Sequence, residues 1–148
     1  MEKYVVSSCL AGIKCRYDGT CKKNDYVCSL VEKGLATPMC PEVLGGLSIP
    51  RTPSEIIGDK VITKDGKDVT DNYNLGAEIV LEYCKKNNVK QAILMDKSPS
   101  CGIKTYDGTF SGKLVDRMGI TAEKLTDNGI KVISSSEIEG RKLWSILF

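Results

Sequence analysis

Four short apolar runs punctuate the chain, at residues 4–8, 35–39, 91–95 and 131–134, and each ends at a turn or breaker signal. Runs of this length without polar alternation predict strands buried on both faces, as in a parallel sheet. Between them the apolar positions change to helical spacing. In residues 24–33, Tyr26, Leu30 and Val31 share one face, and Gly34 stands where the helix must stop. Residues 70–86 carry the clearest helical pattern, with Leu75, Ile79, Val80 and Tyr83 as the apolar stripe and Thr70 or Asp71 as the cap. A shorter helix over 121–127 is closed by Asn128-Gly129. Residues 55–69 read as a hairpin, because Val61-Ile62-Thr63 and Lys67-Asp68-Val69 flank an Asp65-Gly66 turn signal. The alternation predicts an α/β fold: a single domain over residues 1–148, with a mainly parallel, Rossmann-like sheet flanked by helices and a small β-hairpin insertion. The tail 137–148, with its apolar end, is expected to form a final helix packed on the domain.

Composition sharpens the picture through two extremes: seven cysteines and no histidine among 148 residues. A chain of this length builds an adequate core without disulfides or metal, so stability does not account for the cysteines. The missing histidine excludes Ser-His-Asp and Cys-His nucleophile pairs, His-ligated zinc and imidazole acid/base chemistry. Met1-Glu2-Lys3 leads straight into a short strand-like run, with no apolar stretch of signal or membrane length, so the expected location is cytoplasmic. Thiols stay reduced there, which turns cysteine enrichment toward metal binding or thiol chemistry. The formal charge of +2 offers no electrostatic case for a nucleic-acid partner.

Three cysteines hold equivalent places in the predicted fold. Cys9 follows the first strand, Cys40 the second, and Cys101 comes shortly after the strand ending at Met95. In an open parallel sheet the loops beyond the carboxyl ends of the strands gather on one edge, where such folds place their sites. The three thiols are therefore expected to converge, although they are too widely spaced for a local zinc or ferredoxin motif. Each loop also carries breakers: Gly12; Pro41, Gly45, Gly46, Pro50 and Pro53; Pro99 and Gly102. Cys84 and Cys28 fall within helical patterns and read as structural. Cys15 and Cys21 sit in a loop with Lys14, Arg16, Lys22 and Lys23, where positive neighbours lower a thiol pKa. That leaves Cys15 open as a fourth ligand, a sulfur carrier or a passive residue. A phosphatase loop, Cys-x5-Arg from Cys9, is excluded because its arginine position holds Cys15.

Three blocks carry a wider likeness: Ser7-Ser8-Cys9-Leu10-Ala11-Gly12 with Cys15-Arg16-Tyr17-Asp18-Gly19; Cys40-Pro41-Glu42-Val43-Leu44-Gly45-Gly46-Leu47 with Pro50-Arg51; and Lys97-Ser98-Pro99-Ser100-Cys101-Gly102 with Tyr106-Asp107-Gly108-Thr109-Phe110. In this order they resemble the thiouracil desulfidase family. The resemblance implies a [4Fe-4S] cluster held by Cys9, Cys40 and Cys101, with the fourth iron free for substrate sulfur. It implies catalytic roles for Glu42 and Ser98, and removal of sulfur from a thiolated uracil to give uracil and sulfide. The plainer readings are that Glu42 bonds loop amides and Ser98 caps the turn before Pro99. Arg51 and Lys97 are either phosphate contacts of a thiouridine nucleotide or exposed loop charges. Tyr17, Tyr106 and Phe110 either stack on a pyrimidine or pack in the core.

The expected partner is thus a small thiopyrimidine, as base, nucleoside or nucleotide; thiolated transfer RNA is a further form that the net charge does not support. Two other readings stand beside it. One is a persulfide or thiol redox protein using Cys9 or Cys15; the other is a non-catalytic zinc module, which without histidine needs an all-thiolate site unless carboxylates join. Finally, Tyr17-Asp18-Gly19-Thr20 recurs as Tyr106-Asp107-Gly108-Thr109, which reads as a repeated turn.

Overall fold

The computed structural model describes residues 3–138, so most of the predicted terminal helix lies outside the described residues. Its centre is a parallel sheet of four strands, β1 (Tyr4–Ser7), β2 (Ala36–Met39), β5 (Gln91–Leu94) and β8 (Lys131–Ser134), in the order β2-β1-β5-β8. The apolar runs are strands as expected, each four residues long. Successive side chains point to opposite faces, so each strand feeds two cores. Val5, Ala92 and Leu94 face the packing of α3 (Thr70–Lys86) and α4 (Ile120–Asp127). Val6, Ile93 and Ile133 face α1 (Asp25–Glu32). Burial on both faces is why the strands lack polar alternation.

Helix α1 starts where the sequence signals it: the Asn24 side chain accepts from the Val27 N–H at 3.0 Å. Helix α3 departs from expectation at two places. Neither Thr70 nor Asp71 is its cap; the flanking position is Val69, and the Thr70 hydroxyl is engaged elsewhere, accepting from the Val61 N–H at 2.9 Å. The buried stripe is Tyr73, Gly76, Ala77, Val80, Leu81 and Cys84, while Leu75 is 52% exposed. Small residues define this face because α3 packs against both α4 and α2 (Pro41–Leu44). A Cβ on Gly76 would lie 1.9 Å from the Pro41 carbonyl oxygen, and one on Gly45 would lie 1.9 Å from that of Asn72. Only glycine at both positions lets the two helices touch backbone to backbone.

The antiparallel insertion is present with a different partner strand. Strand β3 (Ser54–Ile57) pairs with β4 (Lys60–Thr63), and residues 67–69 contribute only an isolated bridge, Ile62 with Asp68. The Asp65-Gly66 turn does form, with the Gly66 N–H donating to Thr63 O at 2.8 Å. A second small ribbon, β6 (Thr105–Tyr106) with β7 (Leu114–Val115), follows the third cysteine loop. Ile56, Val61, Val69 and Tyr73 form a satellite core that fixes the β3–β4 hairpin on α3. Among the described residues no helix is long and apolar enough to cross a membrane.

Candidate active site

The strand order reverses between β1 and β5, so the loops leaving their carboxyl ends diverge and open a crevice there. Cys9 lies in a turn of 3-10 helix, Ser8–Ala11, directly after β1. Cys40 ends the loop after β2 and flanks α2, whose first residue is Pro41, a position where a missing N–H costs nothing. Cys101 lies in the loop after β5. That loop is tied to the start of α4, whose Ile120 and Thr121 N–H groups donate to the carbonyls of Pro99 and Ser100 at 2.9 and 2.8 Å. The free donors of a helix start thus hold the third cysteine loop in place.

The three thiols converge as the strand-end argument predicts. Cys9, Cys40 and Cys101 line one cavity of about 330 Å³, together with Cys15, Glu42, Arg51, Tyr73, Lys97 and Ser98. Cys9, Cys15 and Cys101 are buried, and Cys40 is partly so. Cys15, left open by the sequence, stands among them. Hydrogen bonding between the thiols has opposing effects on it: the bond with Cys40 lowers its pKa, but the bond with Cys9 and burial push it up to about 11. The bond with Cys15, followed by burial, raises Cys40 strongly. Burial foremost pushes Cys101 up to about 12. Without a metal these groups are neutral thiols at pH 7, and a bound metal displaces their protons.

Glu42 and Ser98 meet across the cavity. The Ser98 hydroxyl donates to Glu42 Oε2 at 3.3 Å and accepts the N–H groups of Ser100 and Cys101 at 3.1 and 3.2 Å. The turn-capping role of Ser98 is therefore real and coexists with contact to the carboxylate. Glu42 Oε1 accepts from Arg51 Nε at 3.1 Å and from the Tyr73 hydroxyl at 2.9 Å. By sequence Arg51 is either a phosphate contact or an exposed loop charge. Its side chain is 8% exposed, and it also donates to the carbonyls of Ser48 and Cys15. No sequence pattern marks Tyr73; its local sign is an aromatic hydroxyl on the first turn of α3.

Other expected site residues separate. Tyr17 and Tyr106 line the cavity; Phe110 does not, and its N–H donates to Glu55 at 3.1 Å. Lys97 is exposed at the rim and has a left-handed backbone, φ 64°. Cys84 belongs to the core and Cys28 contacts the Leu10 carbonyl, in keeping with their structural reading. The repeated Asp-Gly-Thr segments are the same turn twice. Thr20 and Thr109 each donate both N–H and hydroxyl to the aspartate two residues earlier.

The donor set is thiolate-rich and contains no imidazole, which suits soft metal centres and iron–sulfur groups. The thiols do not gather around one point: among the described residues no group of three or more Cys, Asp or Glu side chains is arranged to hold a single metal ion. They instead line a cavity with room for a group of several atoms.

Comparison with known proteins agrees over the whole fold. The protein is 44% identical to the uncharacterized protein YbbK of Bacillus subtilis (strain 168), over 90% of this chain and 96% of that one. It superimposes on a solved structure of the [4Fe-4S]-dependent thiouracil desulfidase TudS with a TM-score of 0.89 and 38% identity, each chain covered in full. The 2-thiouracil desulfurase family model matches residues 4–137. The chain belongs to the 2-thiouracil desulfurase family.

Proposed function

We propose that this protein removes sulfur from a thiolated uracil by water substitution, giving uracil and sulfide, and that residues 1–148 act as one desulfidase domain. In this reading a [4Fe-4S] cluster is held by Cys9, Cys40 and Cys101. The observation that carries it is the convergence of those thiols with the Glu42–Ser98 pair in one cavity. When bound, the cluster would supply Lewis-acid polarisation of the soft thiocarbonyl at an iron that three cysteines leave without a protein ligand.

The chain's own residues do the remaining work. Glu42 orients a water and accepts its proton as the water oxygen bonds to the ring carbon; no histidine competes for this role. As the water oxygen adds, the thiocarbonyl π pair moves onto sulfur; the carbon–sulfur bond then breaks with its electron pair on sulfur, the proton on Glu42 passes to the departing sulfide, and the second proton of the water leaves the new carbonyl oxygen for solvent. No net electron transfer occurs. Both Ser98 lone pairs are directed at backbone N–H groups and its one hydroxyl proton at Glu42 Oε2, so Ser98 acts as a donor that orients the carboxylate, not as a base.

The basic rim favours a nucleotide over the free base. A neighbouring cavity of about 440 Å³ is lined by Lys22, Lys23 and Lys97, and it shares Lys22, Met95, Asp96 and Lys97 with the first. Such a surface suits a phosphate at the far end of a thiouridine nucleotide. A persulfide reading through Cys15 is less well served, because its nucleophile must be a thiolate while Cys15 is held near 11. The test is anaerobic reconstitution followed by assay of sulfide release from 2- and 4-thiouracil and their nucleotides. Release by the loaded protein is expected, and release by iron-free protein would favour thiol chemistry instead.

A further inference from the structure

We propose that Arg51 and Tyr73 are positioning residues that occupy one oxygen of Glu42 and thereby assign the proton-handling task to the other. The inference rests on the reading of Glu42 as the group that moves the proton of water, and it deepens that reading by naming the atom. A carboxylate oxygen has two lone-pair directions. On Oε1 both are used: Arg51 Nε lies 3.1 Å away and the Tyr73 hydroxyl 2.9 Å away. Among the described residues Oε2 receives only the Ser98 hydroxyl, at 3.3 Å, and keeps a lone pair for water.

Both partners are rigidly held. Arg51 Nη1 donates to the Ser48 carbonyl at 3.0 Å and Nη2 to the Cys15 carbonyl at 2.9 Å, so the guanidinium joins the first cysteine loop to the second. Its backbone N–H adds a bond to Tyr17 O at 2.7 Å. Tyr73 is 1% exposed on the α3 stripe, with a hydroxyl kept protonated first by burial and then by the charge of Glu42. With three of its donors already placed, Arg51 is poorly suited to take a substrate phosphate. Its planar fork reaches three acceptors at once, which a lysine ammonium cannot reproduce.

The test compares Tyr73→Phe, Arg51→Lys and Arg51→Met with the wild type, all loaded with iron anaerobically. Positioning predicts a fall in kcat of on the order of 10²-fold for the arginine variants and less for Tyr73→Phe. KM should stay within about twofold for base and nucleotide alike, because a misplaced Glu42 harms the transition state more than substrate binding. Iron and acid-labile sulfide content should be unchanged. Crystal structures of the cluster-free variants give a readout independent of activity: Glu42 Oε2 should leave Ser98 in Arg51→Met and stay in the wild type. A rise in KM confined to nucleotides with kcat intact would overturn the proposal and make Arg51 a phosphate contact. Unchanged kcat in soluble Tyr73→Phe and Arg51→Lys would also overturn it. If wild-type loaded protein desulfurises nothing, the functional reading fails, while the position of Glu42 in the variant structures still decides whether this pair holds it.

Discussion

The Cys40 thiol donates to the carbonyl oxygen of Cys15 at 4.0 Å, and both side chains line the same cavity. Cys15 therefore stands beside the proposed cluster ligands without occupying a strand-end position of its own. Serine at Cys9, Cys40 or Cys101 should each abolish stable cluster binding. Cys15→Ser should keep about four irons per chain. Iron and acid-labile sulfide analysis after anaerobic reconstitution checks this, and loss of iron from Cys15→Ser would make it a ligand.

Cys15 also gives the cluster-free protein a pH dependence, because the lowering by its bond with Cys40 is outweighed by its bond with Cys9 and by burial. Cys15 is raised from an ordinary 9.0 to about 11, so between these values the folded chain binds more protons than the unfolded one. Stability falls with rising pH wherever that holds. The contribution is fully present below about pH 9 and is lost as pH rises through 11. Thermal melts of cluster-free protein from pH 8 to 11 should show a falling Tm, and the fall should be shallower in Cys15→Ser. Identical slopes for the two proteins would contradict the assignment.

Removing the carboxylate separates chemistry from cofactor binding. Glu42→Gln should keep its iron while turnover drops by roughly 10²–10⁴-fold, the usual cost of losing a general base. Ser98→Ala should lose less, because Ser98 only donates toward Glu42 Oε2. A parallel measurement of iron content and single-turnover sulfide release checks both. Full turnover by an iron-loaded Glu42→Gln variant would remove Glu42 from the mechanism.

Gly76 is expected to matter although it lies outside the cavity lining. A methyl there would meet the Pro41 carbonyl at 1.9 Å, forcing α2, and Glu42 with it, away from α3. Overpacking of this kind costs about 1–3 kcal/mol, more than the gain of up to about 1 kcal/mol from replacing a helical glycine by alanine. Gly76→Ala should therefore lower the Tm by several degrees and reduce kcat together. A variant with unchanged Tm would show that the two helices separate without cost.

The strands and their order of appearance were legible because runs such as Val5-Val6 and Ala92-Ile93-Leu94 are short, apolar on both faces and bounded by breakers, as strands of a covered parallel sheet are. The meeting of Cys9, Cys40 and Cys101 followed from strand-end placement alone. What was not legible depended on contacts between distant segments. The face of α3 was misread at Leu75 because its packing is set by Gly76 and Ala77, which carry little hydrophobic signal. The hairpin partner was missed because Pro53 and the Gly58-Asp59 turn obscure the run Ser54–Ile57. The hold of Arg51 and Tyr73 on Glu42 joins positions 9 and 31 residues away, and no local spacing encodes it.

The most direct test of the account is the fate of oxygen in the reaction. Anaerobically loaded protein is incubated with a thiouracil nucleotide in ¹⁸O-labelled water without added reductant, and uracil product and sulfide are quantified together. Water substitution predicts one ¹⁸O in each uracil ring and one sulfide per product. Uracil without the label, or turnover that begins only when a reductant is supplied, would contradict it.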